Sequence, residues 1–408
     1  MTIPGSFPRL PRHEAYDVVI VGGAIMGSST AWFLSRDAGF PGRVLVVERD
    51  PSFENCSTAH TNSCIRQQYS TPLNIRISQF TAEILRDFRA FMGGDERVPA
   101  LPIQSFGYLY LADTPAMADV LRANQQVQRA AGAATELLNA DEIRRQWPFY
   151  RLDDIVLGSI NRVDEGYWDG NTVFRWFQRQ ARERGVEYVT NEVVAMTLDR
   201  TGTRVESVTL ATGTTIACGH VVNASGPRAA RTAAMAGIVL PVEPRKRYSW
   251  IFKAAQPLPR ELPLTIDPSG VHVREHGGGT YLCGGHPEHD PAVEPDDFTM
   301  DHDFFEARVW PVLAARIPAF ERIRVTHQWV GHYAYNTCDQ NAILGPHPQV
   351  TNFLFQNGFS GHGLQQAPAM GRGVAEWLVH GGYRSLDLSP FGFERIVRGE
   401  PIIERAVI

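Results

Sequence analysis

The chain has 408 residues, a formal net charge of −5, and 43% hydrophobic against 20% charged residues. That length accommodates two domains or one large α/β unit with a substantial core. The acidic balance and the lack of a basic stripe argue against general nucleic-acid binding, and no apolar run is long enough to cross a bilayer. The opening MTIPGSFPRLPRHEAYD has no apolar h-region and reads as a Pro-rich arm, not a signal peptide. Cys56, Cys64, Cys218, Cys283 and Cys338 lack metal-type spacing, which fits reduced thiols in a cytoplasm. Lys246 and Lys253 are the only lysines, so few ammonium groups are available to an active site.

Tyr16–Val21 is nearly all apolar, as a strand covered on both faces should be. A helical period over Ile25–Arg36 and the apolar strand Arg43–Glu48 complete a β-α-β unit. Asn74–Met92 places Ile77, Ile84, Leu85 and Phe88 on one helical face. A strand over Phe106–Leu111 and a polar helix over Pro115–Ala131 follow, and a helix over Val173–Arg184 stops at Gly185. Strands then crowd together at VEYV, EVVAMTL, TRVESVTLA, TTIACG and HVVNASG, with further strand pairs over Arg247–Phe252 and Gly270–Cys283. A helix over Phe304–Ala315, strands over Val325–Tyr333 and Asn352–Phe355, and a closing helix over Gly363–His380 end the series. The strands that complete the opening unit return only late. The expected fold is therefore α/β: a Rossmann-like nucleotide domain, discontinuous over 15–92, 155–236 and 325–408. A sheet-rich substrate domain over 93–154 and 237–324 is inserted into it.

DVVIVGGAIMGSST, residues 17–30, carries a dinucleotide fingerprint with alanine at its middle glycine position. Gly22 serves the tight turn and Gly27 the close helix–strand packing, while Gly23 keeps the turn permissive. Ala24, Ile25 and Met26 open the helix whose N-terminus receives a pyrophosphate. Alanine is tolerated there if its φ is negative. Glu48 ends the second strand where a carboxylate takes ribose hydroxyls, with Arg49 beside it. A second glycine-dense turn, Asn357-Gly-Phe-Ser-Gly-His-Gly-Leu-Gln-Gln366, opens the last helix, and Asn223-Ala-Ser-Gly-Pro227 follows another apolar strand. Turns so far apart suit one long cofactor stretched across the domain.

With these turns, Ser57-Thr58, Ile65-Arg-Gln-Gln-Tyr-Ser70, Asp164-Glu-Gly-Tyr-Trp-Asp169, Pro241–Tyr248, Asp301–Phe305, Tyr335-Asn-Thr337 and Asp339-Gln-Asn341, the sequence resembles the D-amino-acid oxidase/sarcosine oxidase (DAO) family of FAD enzymes over nearly its whole length. The branch it resembles includes a mitochondrial FAD-dependent oxidoreductase domain-containing protein and bacterial relatives. The resemblance implies FAD with its adenosine half on Gly22–Gly27 and Glu48, Val194 at the adenine, and Cys56–Asn62 along the pyrophosphate and flavin edge, Ser57, Thr58, His60 and Asn62 included. Ala224, Ser225 and Gly226 would lie against the cofactor, with Gly331 where relatives place a tethering cysteine. Gly358, Phe359, Ser360, Gly361, His362, Gly363 and Leu364 would sit at the pyrimidine edge, where a helix N-terminus favours negative charge.

The resemblance also implies oxidation of a C–N bond, hydride passing to flavin N5 from the carbon beside a neutral amine, so the expected substrate is a small secondary or N-methylated amino acid. Two alternatives stand beside it: deamination of a primary or D-amino acid, and a flavoprotein subunit or assembly factor with little catalysis of its own. Arg66, Arg245 and Arg247 are the candidate carboxylate anchors, because a planar guanidinium binds both oxygens, and Arg66 is favoured. His286, Tyr248, Tyr333 and His362 are candidate pocket residues. The strand Thr280–Gly285 and Gln365 lack the lysines of monomeric sarcosine oxidases. A dehydrogenase is thus expected over an oxidase, with Lys246 the one ammonium that can still approach from another strand. His60 matches the tethering histidine of dimethylglycine dehydrogenases in spacing, but FAD is expected to bind without a covalent link. His286 and His289 form an H-x-x-H without a third ligand, so no metal is expected. Trp168 is expected to pack against the helix after it.

Overall fold

The computed structural model describes residues 7–37 and 39–405, so the first six residues of the expected Pro-rich arm lie outside the described part. The chain opens with β1 (Ala15–Val21), α1 (Ile25–Arg36) and β2 (Val44–Glu48), followed by α2 (Pro72–Arg86). It leaves this unit for β3 (Tyr108–Ala112) and β4 (Leu157–Asn161), then returns with α3 (Gly170–Glu183), β5 (Glu187–Thr190) and β6 (Thr215–Asn223). A second excursion contains β7 (Val242–Ala254), β8 (Leu264–Ile266), β9 (His272–Gly277), β10 (Thr280–Gly285) and β11 (Ile323–Asn336). The end is β12 (Ile343–Pro346), β13 (Phe353–Asn357) and α4 (Gly363–His380).

The strands form two large sheets. The first has the order β12-β13-β6-β1-β2-β5 and is parallel except for β12, with an antiparallel hairpin (Val193–Leu198 and Val205–Leu210) beside β6. Alternation along β1 sends Val18 and Ile20 into the core under α1, α3 and α4, while Val19 and Val21 face the opposite core. The second sheet has the order β11-β7-β10-β9-β8-β3-β4, with Glu136–Leu138 at its edge. It packs Trp250, Phe252 and Tyr281 against Phe304, Phe305 and Phe320.

Several elements differ from their sequence reading, each for a local reason. TTIACG and HVVNASG are one strand, β6; Gly219 does not break it but lets it touch β1, since a Cβ there would lie 2.7 Å from the Asp17 carbonyl oxygen. The long helix expected over 74–92 ends at Arg86, where Asp87 leaves helical geometry and its side chain caps the short turn Phe88–Phe91. Phe305–Val309 is a π-helical turn before the α-helical stretch Trp310–Arg316. Val325–Tyr333, expected with the nucleotide domain, lies within β11 and pairs along β7 in the second sheet, as β4 does with β3. Trp168 is fully buried in the core that holds Val173 and Phe174 of α3, whose N-terminus Asp169 caps through Thr172 N at 2.9 Å.

Candidate active site

At the C-terminal end of β1 the chain turns at Gly22, with φ +99°; a Cβ there would lie 2.5 Å from the Ala224 carbonyl oxygen. A Cβ on Gly27 would approach the Gly22 carbonyl oxygen to 1.9 Å, so that helix–strand contact also requires glycine. Ala24, by contrast, has φ −70°, a conformation any L-residue adopts, and its methyl is accommodated. It caps α1 without a side-chain hydrogen bond, and the first turn carries no acidic residue. The leading N–H groups of α1 are thus left for an anion, with Ile25 N donating only a long bond (3.4 Å) to Thr58 Oγ1. Glu48 accepts from Gly23 N at 2.7 Å and Asp50 N at 2.9 Å, and burial pushes its carboxyl upward.

The second glycine turn meets the first. Ser29 Oγ donates to the Ala367 carbonyl at 2.8 Å and Thr30 Oγ1 to Gln356 Oε1 at 2.9 Å, tying α1 to α4 and β13. Gly358, Ser360 and Gly361 all have positive φ, and a Cβ on Gly361 would lie 2.4 Å from the Tyr333 ring. A single cleft of about 370 Å³ takes in both turns. Its lining includes Gly22, Ala24, Ile25, Met26, Glu48 and Arg49; then Ser57, Thr58, His60 and Asn62; Ala224, Ser225 and Gly226; and Gly331 with Phe359–Leu364. Arg66, Arg247, Tyr248 and Tyr333 also line it.

Seven residues named from the sequence for the site do not line the cleft, and Arg245, paired with Glu243, is one of them. Gly23, Gly27 and Gly358 lie behind the lining, where they hold the turns close. Val194 is 47% exposed; its buried neighbour Val193 lines the cleft, because side chains alternate along that strand. Lys246 is drawn away by Asp297 (2.8 Å) and the Thr299 carbonyl (3.0 Å). His286 is exposed just past β10, whose last residue, Gly285, reaches the lining instead.

Around Arg66 the cleft is aromatic. The Arg66 guanidinium is buried; Nη1 donates to the Tyr108 hydroxyl at 3.3 Å and Nη2 to His362 Nε2 at 2.7 Å, while Nε has no partner. It stands 4.8 Å from the Tyr69 ring centre and 5.5 Å from that of Tyr108. Among the described residues no carboxylate forms an ion pair with it. Arg247, in contrast, is bound at both Nη atoms by Asp290, at 2.8 and 2.9 Å, and Arg245 pairs with Glu243 at 3.0 Å. Burial and the Arg66 charge hold His362 well below the usual imidazole range, so its Nε2 stays free to accept. Across the cleft, Asn62 Nδ2 donates to His272 Nε2 at 2.9 Å and Asn62 Oδ1 accepts from Ser249 Oγ at 3.2 Å. Burial pushes His272 down to about 4. Tyr108, Ser249, Leu264 and His272 all line this end, yet no sequence motif marks them; Tyr108 and Leu264 come from strands buried on both faces.

The family model described as FAD dependent oxidoreductase matches residues 17–377. The chain belongs to the DAO family. Its FAD-dependent oxidoreductase relatives include FAD-dependent oxidoreductase domain-containing protein 1 of Xenopus laevis, 37% identical over 98% of this chain and 86% of that one. The sarcosine oxidase subunit beta of Rhizobium meliloti is 25% identical over 96% of this chain and 90% of its own length. Among solved structures, L-proline dehydrogenase from P. horikoshii aligns over 96% of this chain and all of that one, with a TM-score of 0.82 and 26% identity.

FAD is therefore the cofactor, and the cleft fits it. The uncapped N-terminus of α1 suits a pyrophosphate, Glu48 suits a ribose, and Gly226, with open space where a Cβ would stand, lets a ligand come close to the backbone. His60 presses against Gly331, where a Cβ would lie 2.7 Å from the His60 carbonyl oxygen, and its buried Nδ1 has no partner. Among the described residues there is no cluster of three or more metal-ligating side chains, and no helix is long and apolar enough to cross a membrane.

Proposed function

We propose that the protein oxidises the C–N bond of a small secondary or N-methylated amino acid, with Arg66 as the carboxylate anchor. The observation that carries this reading is a buried guanidinium in the cleft that, among the described residues, forms no ion pair with a carboxylate. A bound substrate carboxylate completes that charge. When bound, FAD supplies an acceptor for a hydride from the carbon beside the amine; the resulting imine takes up water and separates into amine and carbonyl. The chain's part is to bind, orient and exclude water. Tyr69 and Tyr108 flank Arg66 and fix its plane, His362 holds one of its nitrogens, and Arg66 N–H donates to Gln365 Oε1 at 2.9 Å. The positive charge of Arg66 within an aromatic wall disfavours an ammonium, so the amine binds neutral, with the lone pair that oxidation requires.

The electron acceptor is proposed to be other than oxygen, because no lysine lines the cleft: Lys246 is paired with Asp297 and Lys253 is exposed. A partner subunit taking up the electrons is consistent with the name of the relative sarcosine oxidase subunit beta. The unpaired state of all five cysteines supports a cytoplasmic setting. Anaerobic addition of sarcosine, dimethylglycine, proline, opines and D-amino acids to the holoprotein tests the reading. Bleaching of the flavin by secondary or N-methylated amino acids is expected. Bleaching by primary amino acids alone would favour deamination, and bleaching by none would favour the assembly role.

A further inference from the structure

The segment Asp164–Asp169 contains a carboxylate that substrate binding, as read above, leaves unused. Glu165 is completely buried. Its Oε1 accepts from Gln67 N at 2.6 Å and from Asn161 Nδ2 at 2.9 Å, and its Oε2 accepts from Gln68 Nε2 at 2.9 Å. Two of these donors are the residues that immediately follow Arg66. Gln68 is fixed further, donating to the Tyr108 carbonyl at 2.7 Å and accepting from Ser159 Oγ at 2.8 Å. One carboxylate thus ties together the anchor's loop, the backbone of its aromatic neighbour Tyr108, and β4. The backbone is shaped for this: Asp164 has φ +56°, and a Cβ on Gly166 would lie 2.0 Å from the Gln104 carbonyl oxygen.

We propose that Glu165 is a positioning residue: it sets the loop that carries Arg66, and its charge, gained or lost, tunes how tightly Arg66 holds a substrate carboxylate. The proposal rests on Arg66 being the anchor. Glu165 makes no ion pair with Arg66, whose Nη atoms go to Tyr108 and His362. The two charges nevertheless attract through a low-dielectric interior, and Tyr110 is the other titratable group coupled to Glu165. Ionised, Glu165 competes with an incoming carboxylate for the field of Arg66; protonated, it leaves Arg66 uncompensated and more attractive to an anion. Burial is what moves this exchange into an accessible range, pushing the Glu165 carboxyl up to about 8 against the pull of its three donors and Arg66.

The experiment is a titration of the holoprotein with acetate, an anion with no amine to confuse the pH dependence, followed through the flavin absorbance from pH 6 to pH 9.5. In the wild-type chain, affinity is expected to fall several-fold as pH rises through about 8, the value toward which burial pushes Glu165. Glu165→Gln keeps shape and loses charge; it is expected to hold acetate at the tight, low-pH level with no inflection. Glu165→Ala, which frees the loop, is expected to bind weakly at every pH. A wild-type affinity that is flat with pH, or an inflection that persists in Glu165→Gln, overturns the proposal while Arg66 stands as anchor. If Arg66→Lys binds acetate as the wild type does, the anchor reading fails first and this inference fails with it.

Discussion

Arg66 illustrates how a side chain is read from its unmet needs. A buried guanidinium hydrogen-bonded only to neutral groups, a tyrosine hydroxyl and an imidazole, is costly unless an anion arrives. Arg66→Lys keeps the charge but not the fork that spans two oxygens. A charge-assisted hydrogen bond contributes about 1.5–3 kcal/mol, so KM for the amino acid is expected to rise roughly tenfold to a hundredfold, with FAD content unchanged. Equal KM values would remove Arg66 from its role. The glycine turn gives a paired prediction. Ala24→Gly is expected to leave FAD content unchanged, since φ at that site is already ordinary, whereas Gly27→Ala drives a methyl into the Gly22 carbonyl and is expected to yield protein without flavin. At His60, burial lowers the imidazole pKa and leaves Nδ1 unpartnered, yet the Ser57–His60 loop is held in place by other bonds, among them Ser57 Oγ to the His332 carbonyl at 2.7 Å. Acid precipitation is expected to release the flavin into the supernatant; colour retained in the pellet would point to a covalent bond at His60.

Among the elements, those with one apolar face or a capping signal are legible in sequence, and those defined by distant contacts are not. β1, α1 and β2 follow from local pattern, as does α4 behind its glycine turn. The sheet membership of β11 does not, because its mixed polar and apolar sequence carries no mark of whether β7 or β1 will be its neighbour. The same limit applies inside the cleft. Arg66 and the glycine turns stand out by residue type, but Tyr108, His272 and Ser249 enter through strand pairing across the second sheet. The start of α2 shows the effect most clearly. Its N-cap, Thr71, makes no side-chain cap bond; the loop that enters the helix is held instead by Glu404, far along the chain. Glu404 accepts from Ser70 N and Asn74 Nδ2, both at 2.7 Å, and from Thr71 N at 3.1 Å. Glu404→Ala is expected to cost about 1–3 kcal/mol, as leaving its donors unpaired does, visible as a lower midpoint in urea denaturation. An unchanged midpoint would mean that the tail carboxylate contributes nothing to α2.

At the scale of the whole molecule, the cleft is built by segments from one end of the chain to the other, and the two sheets share its walls through Val21 of the first and Arg247–Ser249 of the second. A ligand filling that space binds only the assembled state, so stripping FAD is expected to lower the melting temperature and adding it back to restore stability in proportion to the logarithm of its concentration. The same geometry bears on the fate of the electrons. Of the two lysines, one is pinned by Asp297 and the other is exposed on β7, and burial holds the cleft histidines His60, His272, His332 and His362 below their ordinary basicity. The groups that line the substrate end therefore include no ammonium or imidazolium that would stabilise a developing superoxide at neutral pH. After anaerobic reduction by a substrate, the flavin is expected to recolour slowly on admission of air and rapidly on addition of a quinone or phenazine dye, both followed by stopped-flow absorbance. Recolouring in air as fast as with the dye would make the protein an oxidase and would locate the missing charge elsewhere, with the Arg66 guanidinium the first group to test.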